Sequence, residues 1–248
     1  MTDIDNNHAA VFPPVSGTAV YLFTGHYGSG KTETAVNFAR FLRNYYKKND
    51  PAGELRIALL DMDIVNPFFR SADAKAFLES MDIRVEVPLY ANTNVDMPSL
   101  PASMGAIIRD ESYDVIIDIG GDDMGARAVG CYSDDILTRP NLRYFVMNKR
   151  RPFTGTAKAA LKVFDEIDAV SKVPCAGIVN NTNLLDDTDI SMISEGLSEA
   201  RELGRMRGVP VVFSTVPEEL YEELLASGDP DFNGDNLIPL RRTVHRLF

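Results

Sequence analysis

Eight consecutive residues have the types and spacing to hold a phosphate: Gly25-His26-Tyr27-Gly28-Ser29-Gly30-Lys31-Thr32. They match the pattern Gly-x4-Gly-Lys-[Ser/Thr], and they stand between an apolar run and a segment of helical period. Glycines let successive backbone N–H groups turn inward around an anion, and the helix that follows points the positive end of its dipole at the same place. Lys31 is expected to reach the β- and γ-phosphates, and the Thr32 hydroxyl to ligate Mg²⁺. Glu33, in the first helical turn, completes this set of candidate nucleotide contacts. The alternative is a glycine-rich turn that only joins a strand to a helix.

Two acidic segments could serve the same phosphate. The run Leu59-Leu60-Asp61-Met62-Asp63 ends an apolar stretch and is followed by Ile64-Val65-Asn66-Pro67. Asp61 and Asp63 alternate along an extended backbone, so both could lie near magnesium, one through metal-bound water and the other orienting the attacking water. Acids that merely cap the next helix would look the same. Farther on, Tyr113-Asp114-Val115-Ile116-Ile117-Asp118-Ile119-Gly120-Gly121 places Asp118 at the end of a hydrophobic strand, the Walker B arrangement in which a carboxylate enters the Mg²⁺ shell. Gly120 or Gly121 can bring a backbone N–H to the γ-phosphate. The glycine-rich, acidic stretch 120–125 therefore reads as a nucleotide-sensing switch or as a tight turn before a helix.

The elements that must position these residues are legible as an alternation. Apolar runs at 19–24, 56–61, 83–87, 115–119, 142–147, 173–180 and 209–214 read as strands. Several carry almost no polar residue, as strands covered on both faces should. Helical periods fall at about 31–48, 125–137, 154–170, 189–206 and 217–226. Residues 88–105, with Pro88, Pro98, Pro101 and Gly105, read as an irregular excursion. The fold class expected is α/β: a doubly wound, mostly parallel sheet with helices on both faces. Residues 1–17 read as a loose tail and 18–248 as a single nucleotide-binding domain.

The loop at 25–32, the Asp-x-Asp at 61–63 and Asp118 with its glycines, in this order and spacing, resemble the deviant Walker A ATPases of the MinD/ParA group, which includes CobQ/CobB-type enzymes. The resemblance covers most of the chain after residue 17. It implies ATP and Mg²⁺ as cofactors, a homodimer that sandwiches ATP, Asp63 as the water-orienting residue and Asp118 as the magnesium-linked one. It departs at one position: the signature lysine that reaches the partner subunit's phosphates falls on His26. A neutral imidazole supplies no fixed positive charge there. In the resembled group an asparagine at the end of a later strand contacts adenine, which assigns Asn180 or Asn181 that role; a strand-end turn is the alternative.

A guanine reader needs Asn-Lys-x-Asp, and the nearest match, Asn148-Lys149-Arg150-Arg151, has an arginine in place of the acid. ATP is therefore expected over GTP. Arg150 and Arg151, with Arg127 and the excursion at 88–105, are candidates for a second, anion-binding pocket. Leu237, Leu240, Val244 and Leu247 with Phe248 fall at helical spacing and predict a final helix docked on the body. The segment 229–235 begins like a calcium loop but has Leu240 where the bidentate Glu belongs.

Composition limits the partners. The 248 residues carry 25 Lys+Arg against 36 Asp+Glu, a net charge of -11, which opposes general binding to nucleic acid or anionic membrane. No run approaches the ~20 apolar residues of a membrane span, so no stable membrane insertion is expected. Cys131 and Cys175 form no Cys-x-x-Cys pair, and a cytoplasmic location fits them. The expected function is a slow Mg·ATPase whose nucleotide state, ATP or ADP, acts on an unidentified protein partner. The alternatives are an ATP-dependent enzyme on a small-molecule acceptor, or an ATP sensor without turnover.

Overall fold

A computed structural model describes residues 17–49, 55–63, 72–87, 102–121, 123–234 and 236–243. The seven apolar runs become strands, and with an eighth they form one parallel sheet among the described residues: β1 (Val20–Thr24), β2 (Arg56–Met62), β3 (Ile83–Glu86), β4 (Tyr113–Ile119), β5 (Asn141–Met147), β6 (Cys175–Asn180), β7 (Val211–Pro217) and β8 (Leu237–Leu240), in the order β3-β2-β4-β1-β5-β6-β7-β8. Between them run α1 (Lys31–Asn49), α2 (Ala72–Ser80), α3 (Ala102–Arg109), α4 (Asp123–Leu137), α5 (Ala157–Ser171), α6 (Ile190–Arg207) and α7 (Glu218–Ala226).

Strand alternation divides the core between two layers of helices. Tyr21, Phe23, Ile57, Leu59, Ile116 and Val146 pack with Phe38, Leu42 and Tyr46 of α1 and Leu78 of α2. Their neighbours Val20, Leu22, Ala58, Leu60, Val115 and Ile117 face the other way, onto α3 and α4. Phe145, Met147 and Ile178 continue that second face under α5 and α6. Both faces of the central strands are thus dry, which is why their sequences lack the polar alternation of a half-exposed sheet. The α/β doubly wound architecture expected above is the one observed.

Three expectations change. The helix expected from residue 237 is instead strand β8 over its first four residues. Pro239 has no N–H to give a helix, and at the sheet edge it has no further ladder to serve. Residues 244–248, the rest of that expected helix, lie outside the described residues. The excursion at 88–105 ends sooner than expected: α3 already begins at Ala102, while 88–101 lie outside the described residues. Helix α2 was not foreseen at all. The amino-terminal tail, apart from Gly17, also falls outside. The helix expected from 154 begins at Ala157, because Pro152–Thr154 form one tight turn and Thr156 caps α5, its hydroxyl accepting from the Ala159 N–H at 3.2 Å.

Candidate functional site: a phosphate loop at the carboxyl end of the sheet

Strand β1 stands between β4 and β5, and the loop 25–30 leaves its carboxyl end to enter α1. In an open parallel sheet this is where ligands bind. The loop is held from both sides. Ser29 N donates to His26 O at 3.1 Å, and the Asn181 side-chain amide donates to Ser29 O at 2.6 Å. Gly30, at φ +85°, has no room for a side chain, because a Cβ there would overlap the Asn181 amide nitrogen. Gly121 is the second position fixed by close approach: a Cβ would lie 2.7 Å from Tyr27 N and 2.9 Å from Lys31 Nζ. The Lys31 ammonium is buried against the loop and donates to His26 O at 3.2 Å.

The acids predicted to serve magnesium converge. Asp61 and Asp118 are direct register partners on β2 and β4, and both are buried. Asp61 accepts from the Asp63 N–H at 2.9 Å, which turns the chain at the end of β2 and sets Asp63 on the cavity wall. Asp118 is fully buried, and neither of its oxygens makes a well-formed hydrogen bond. Burial pushes its carboxyl up to about 6, with the nearby Lys31 charge and Thr32 hydroxyl opposing the rise and Asp63 adding to it. A buried, unsatisfied carboxylate is costly unless a cation completes it. Among the described residues no three His, Cys, Asp or Glu side chains group as a metal cage. That donor set fits Mg²⁺, which is held by one or two carboxylates, a hydroxyl, water and phosphate oxygens.

One cavity of about 870 Å³ extends from this loop across the ends of β5, β6, β7 and β8. Of the candidate residues, Tyr27, Gly28, Gly30, Lys31, Thr32, Glu33, Asp63 and Asn181 line it, while Gly25, His26, Ser29, Gly121, Asp61 and Asp118 do not. The Glu33 carboxylate is also engaged by the segment after β8, accepting from Thr243 N at 3.2 Å and from the Thr243 hydroxyl at 3.0 Å. Asn180 and Asn181 separate. Asn180 is sealed in the interior, donating to Ile193 O and Ser214 Oγ, and it does not line the cavity. Asn181 binds the phosphate loop and takes a hydrogen bond from the Thr215 hydroxyl.

The three cations after β5 separate in the same way. Lys149 and Arg150 pair with carboxylates of α6, Lys149 with Glu195 and Glu199 and Arg150 with Glu195 at 3.2 Å. Arg151 turns the other way and donates through Nε to Gly28 O at 2.9 Å. His26 stacks on Phe153 with ring centroids 4.5 Å apart, and its Nδ1 lies 2.9 Å from Tyr27 O. Of the residues proposed for a second pocket, Arg150 is thus committed to α6, while the Arg127 side chain and 88–101 lie outside the described residues, as do 64–67 and Asp122.

Asn183, Leu185, Arg241 and Arg242 line the cavity without having been foreseen. The last two follow β8, so they went unseen with that strand. Leu185 gave no signal in the sequence; the structure sets it on the cavity wall at φ +61°, an uncommon backbone conformation for leucine.

The sequence matches no protein-family model. It matches no curated protein either. Solved structures share the fold. The cell division protein FtsY of Thermotoga maritima superposes with a TM-score of 0.54 at 17% identity, over 86% of this chain and 66% of that one. The signal recognition particle 54 kDa protein of Aeropyrum pernix K1, in complex with GDP, gives 0.51 at 14% identity, over 84% and 43%. The signal recognition particle receptor FtsY of Elizabethkingia anophelis, in complex with GDP, gives 0.51 at 18%, over 86% and 61%. The chain therefore spans between 43% and 66% of the length of these proteins and shares with them the α/β P-loop NTPase fold.

Proposed function

We propose that this chain binds Mg·ATP at the loop 25–32, hydrolyses it slowly, and presents its ATP- and ADP-bound states to a protein partner. The observation that carries this reading is the convergence on one glycine loop of Lys31, Thr32 and a buried, unsatisfied Asp118. Thr32 and Asp118, with Asp61 behind them, would hold Mg²⁺, whose charge neutralises the phosphate oxygens. The chain's own groups do the remaining work. Loop N–H groups and Lys31 bind the phosphates, and Asp63 orients the attacking water. Gly121 lies close enough to the loop for its backbone to follow the γ-phosphate, and the change passes into α4, which begins two residues later.

Two structural neighbours hold GDP, so the base is a separate question. ATP is favoured because the residue that would accept the guanine N–H groups after β5 is the cation Arg151, turned toward the loop. Equilibrium binding of Mg·ATP and Mg·GTP to the wild type and to Lys31→Ala tests both parts. Binding of ATP that Lys31→Ala abolishes is the expected result. Tighter binding of GTP would overturn the base assignment and keep the phosphate site; equal binding by Lys31→Ala would overturn the site.

A second reading, in which two copies close over the phosphates as the resemblance implies, is favoured by one observation. Tyr27 and Phe153, 66% and 60% exposed, put apolar rings on the rim of the loop, where another chain would cover them.

A further inference from the structure

The phosphate site needs more positive charge than Lys31 supplies if it is to hold a triphosphate. Position 26 does not supply it: the ring is stacked on Phe153, and its Nδ1 faces the Tyr27 carbonyl. The end of β5 does. Of its three consecutive cations, Lys149 and Arg150 are ion-paired to α6. Among the described residues, Arg151 has no carboxylate within ion-pair distance and its side chain donates one hydrogen bond, from Nε to Gly28 O; it lines the cavity with Lys31 and Thr32. Its backbone is fixed by the turn that starts there. Arg151 N donates to Asn148 O, Thr154 N donates to Arg151 O, both at 3.1 Å, and the Thr154 hydroxyl donates to Asn148 O at 2.7 Å. One N–H of the guanidinium is used on the loop, and its fork of further donors is available to phosphate oxygens beside it.

We propose that Arg151 is a second phosphate-binding cation of this site, supplied from the same chain, and that its contact with Gly28 aims it. The inference rests on the nucleotide reading above. A guanidinium hydrogen-bonded to phosphate is a charge-assisted contact, the stronger class of hydrogen bond. Losing it should weaken the triphosphate complex, whereas a mere brace on the loop should not respond to charge or salt.

The test is equilibrium binding of Mg·ATP to the full chain, comparing wild type, Arg151→Gln and Arg151→Lys, with Lys31→Ala as the control for the site itself. We expect Arg151→Gln to raise Kd about tenfold or more, the equivalent of ~1.4 kcal/mol. Arg151→Lys, which keeps the charge but loses the fork and the Nε that Gly28 aims, should fall between Gln and wild type, and the gap between Gln and wild type should narrow at ~1 M salt, where charges are screened beyond about 3 Å. Thermal unfolding without nucleotide should leave all three midpoints together. Arg151→Gln within twofold of wild type, or Lys losing as much as Gln, would overturn the role of Arg151 while ATP binding that depends on Lys31 stands. Wild type that binds no ATP, or binds it as well as Lys31→Ala does, would overturn the nucleotide reading and this inference with it.

Discussion

A single methyl group is enough to probe the closest packing in the site. A Cβ on Gly121 would meet the backbone of Tyr27 at 2.7 and 2.8 Å, and backbone cannot swing aside as a side chain can. Gly121→Ala must therefore displace the phosphate loop or the turn before α4. Overpacking of this kind costs on the order of 1–3 kcal/mol, and here the strain falls on the loop. The expected outcome is ATP affinity reduced about tenfold or more, read by equilibrium titration, with the thermal midpoint lowered by only a few degrees. Unchanged affinity would mean that the loop and the β4 end do not act as one unit. Asp63→Asn separates binding from chemistry. It keeps the side-chain shape on the cavity wall and removes the acceptor charge that orients water, so Mg·ATP affinity should persist while the single-turnover rate falls about a hundredfold. Hydrolysis at the wild-type rate would take Asp63 out of the mechanism.

Elements depend on a different acid, Asp114, buried at the start of β4. It joins three elements by accepting from the Ala19 N–H at 2.8 Å before β1 and from the Tyr46 hydroxyl of α1. Burial pushes its carboxyl above the ordinary carboxylate range, and the bonds from Tyr46 and Ala19 and the charge of Arg139 only partly oppose this. The sign follows from linkage: a raised pKa in the folded state favours folding at low pH, and that contribution is lost as pH rises through the folded value. Asp114→Asn keeps an oxygen for Ala19 and removes the titration. Its stability relative to wild type, by denaturant unfolding, should therefore improve from pH 4 to pH 7; a difference that is flat or falls would refute the assignment. The phosphate loop, Asp61 and Asp118 were legible in the sequence because each is a local signal at the end of an apolar run. Other features were not local. Strand alternation says that Asn180 and Asn181 face opposite ways but not which one meets the loop, and the answer depends on packing against α6 and Ser29. The same holds for Arg150 and Arg151, sorted by carboxylates on α6. Strand β8 was hidden because Leu237-Ile238-Pro239-Leu240 is too short for its period to distinguish strand from helix, and Pro239 was the one clue.

At the scale of the whole molecule the question is whether one chain completes the site. One chain carries every group proposed above for the phosphates: the loop, Lys31, Thr32, Asp61, Asp63, Asp118 and Arg151. The residue through which a partner's charge would arrive in the resembled group is His26, and it is turned onto Phe153 and Tyr27. The net charge of -11 adds a modest repulsion between copies, which salt screens beyond roughly 10 Å at 0.1 M. Hydrolysis per molecule should then be independent of protein concentration. Steady-state Mg·ATP turnover, measured over about a hundredfold range of concentration with Lys31→Ala as the blank, spans two decades of any association constant that would matter. A flat specific rate above the blank supports a site complete in one chain. A rate that climbs with concentration and saturates would mean that a second copy contributes to hydrolysis, with Tyr27 and Phe153 as the rings it covers. Adding Arg151→Gln to that series decides between the two sources of charge. If the charge is internal, the variant is slow at every concentration; if a second copy provides it, concentrating the variant restores the rate.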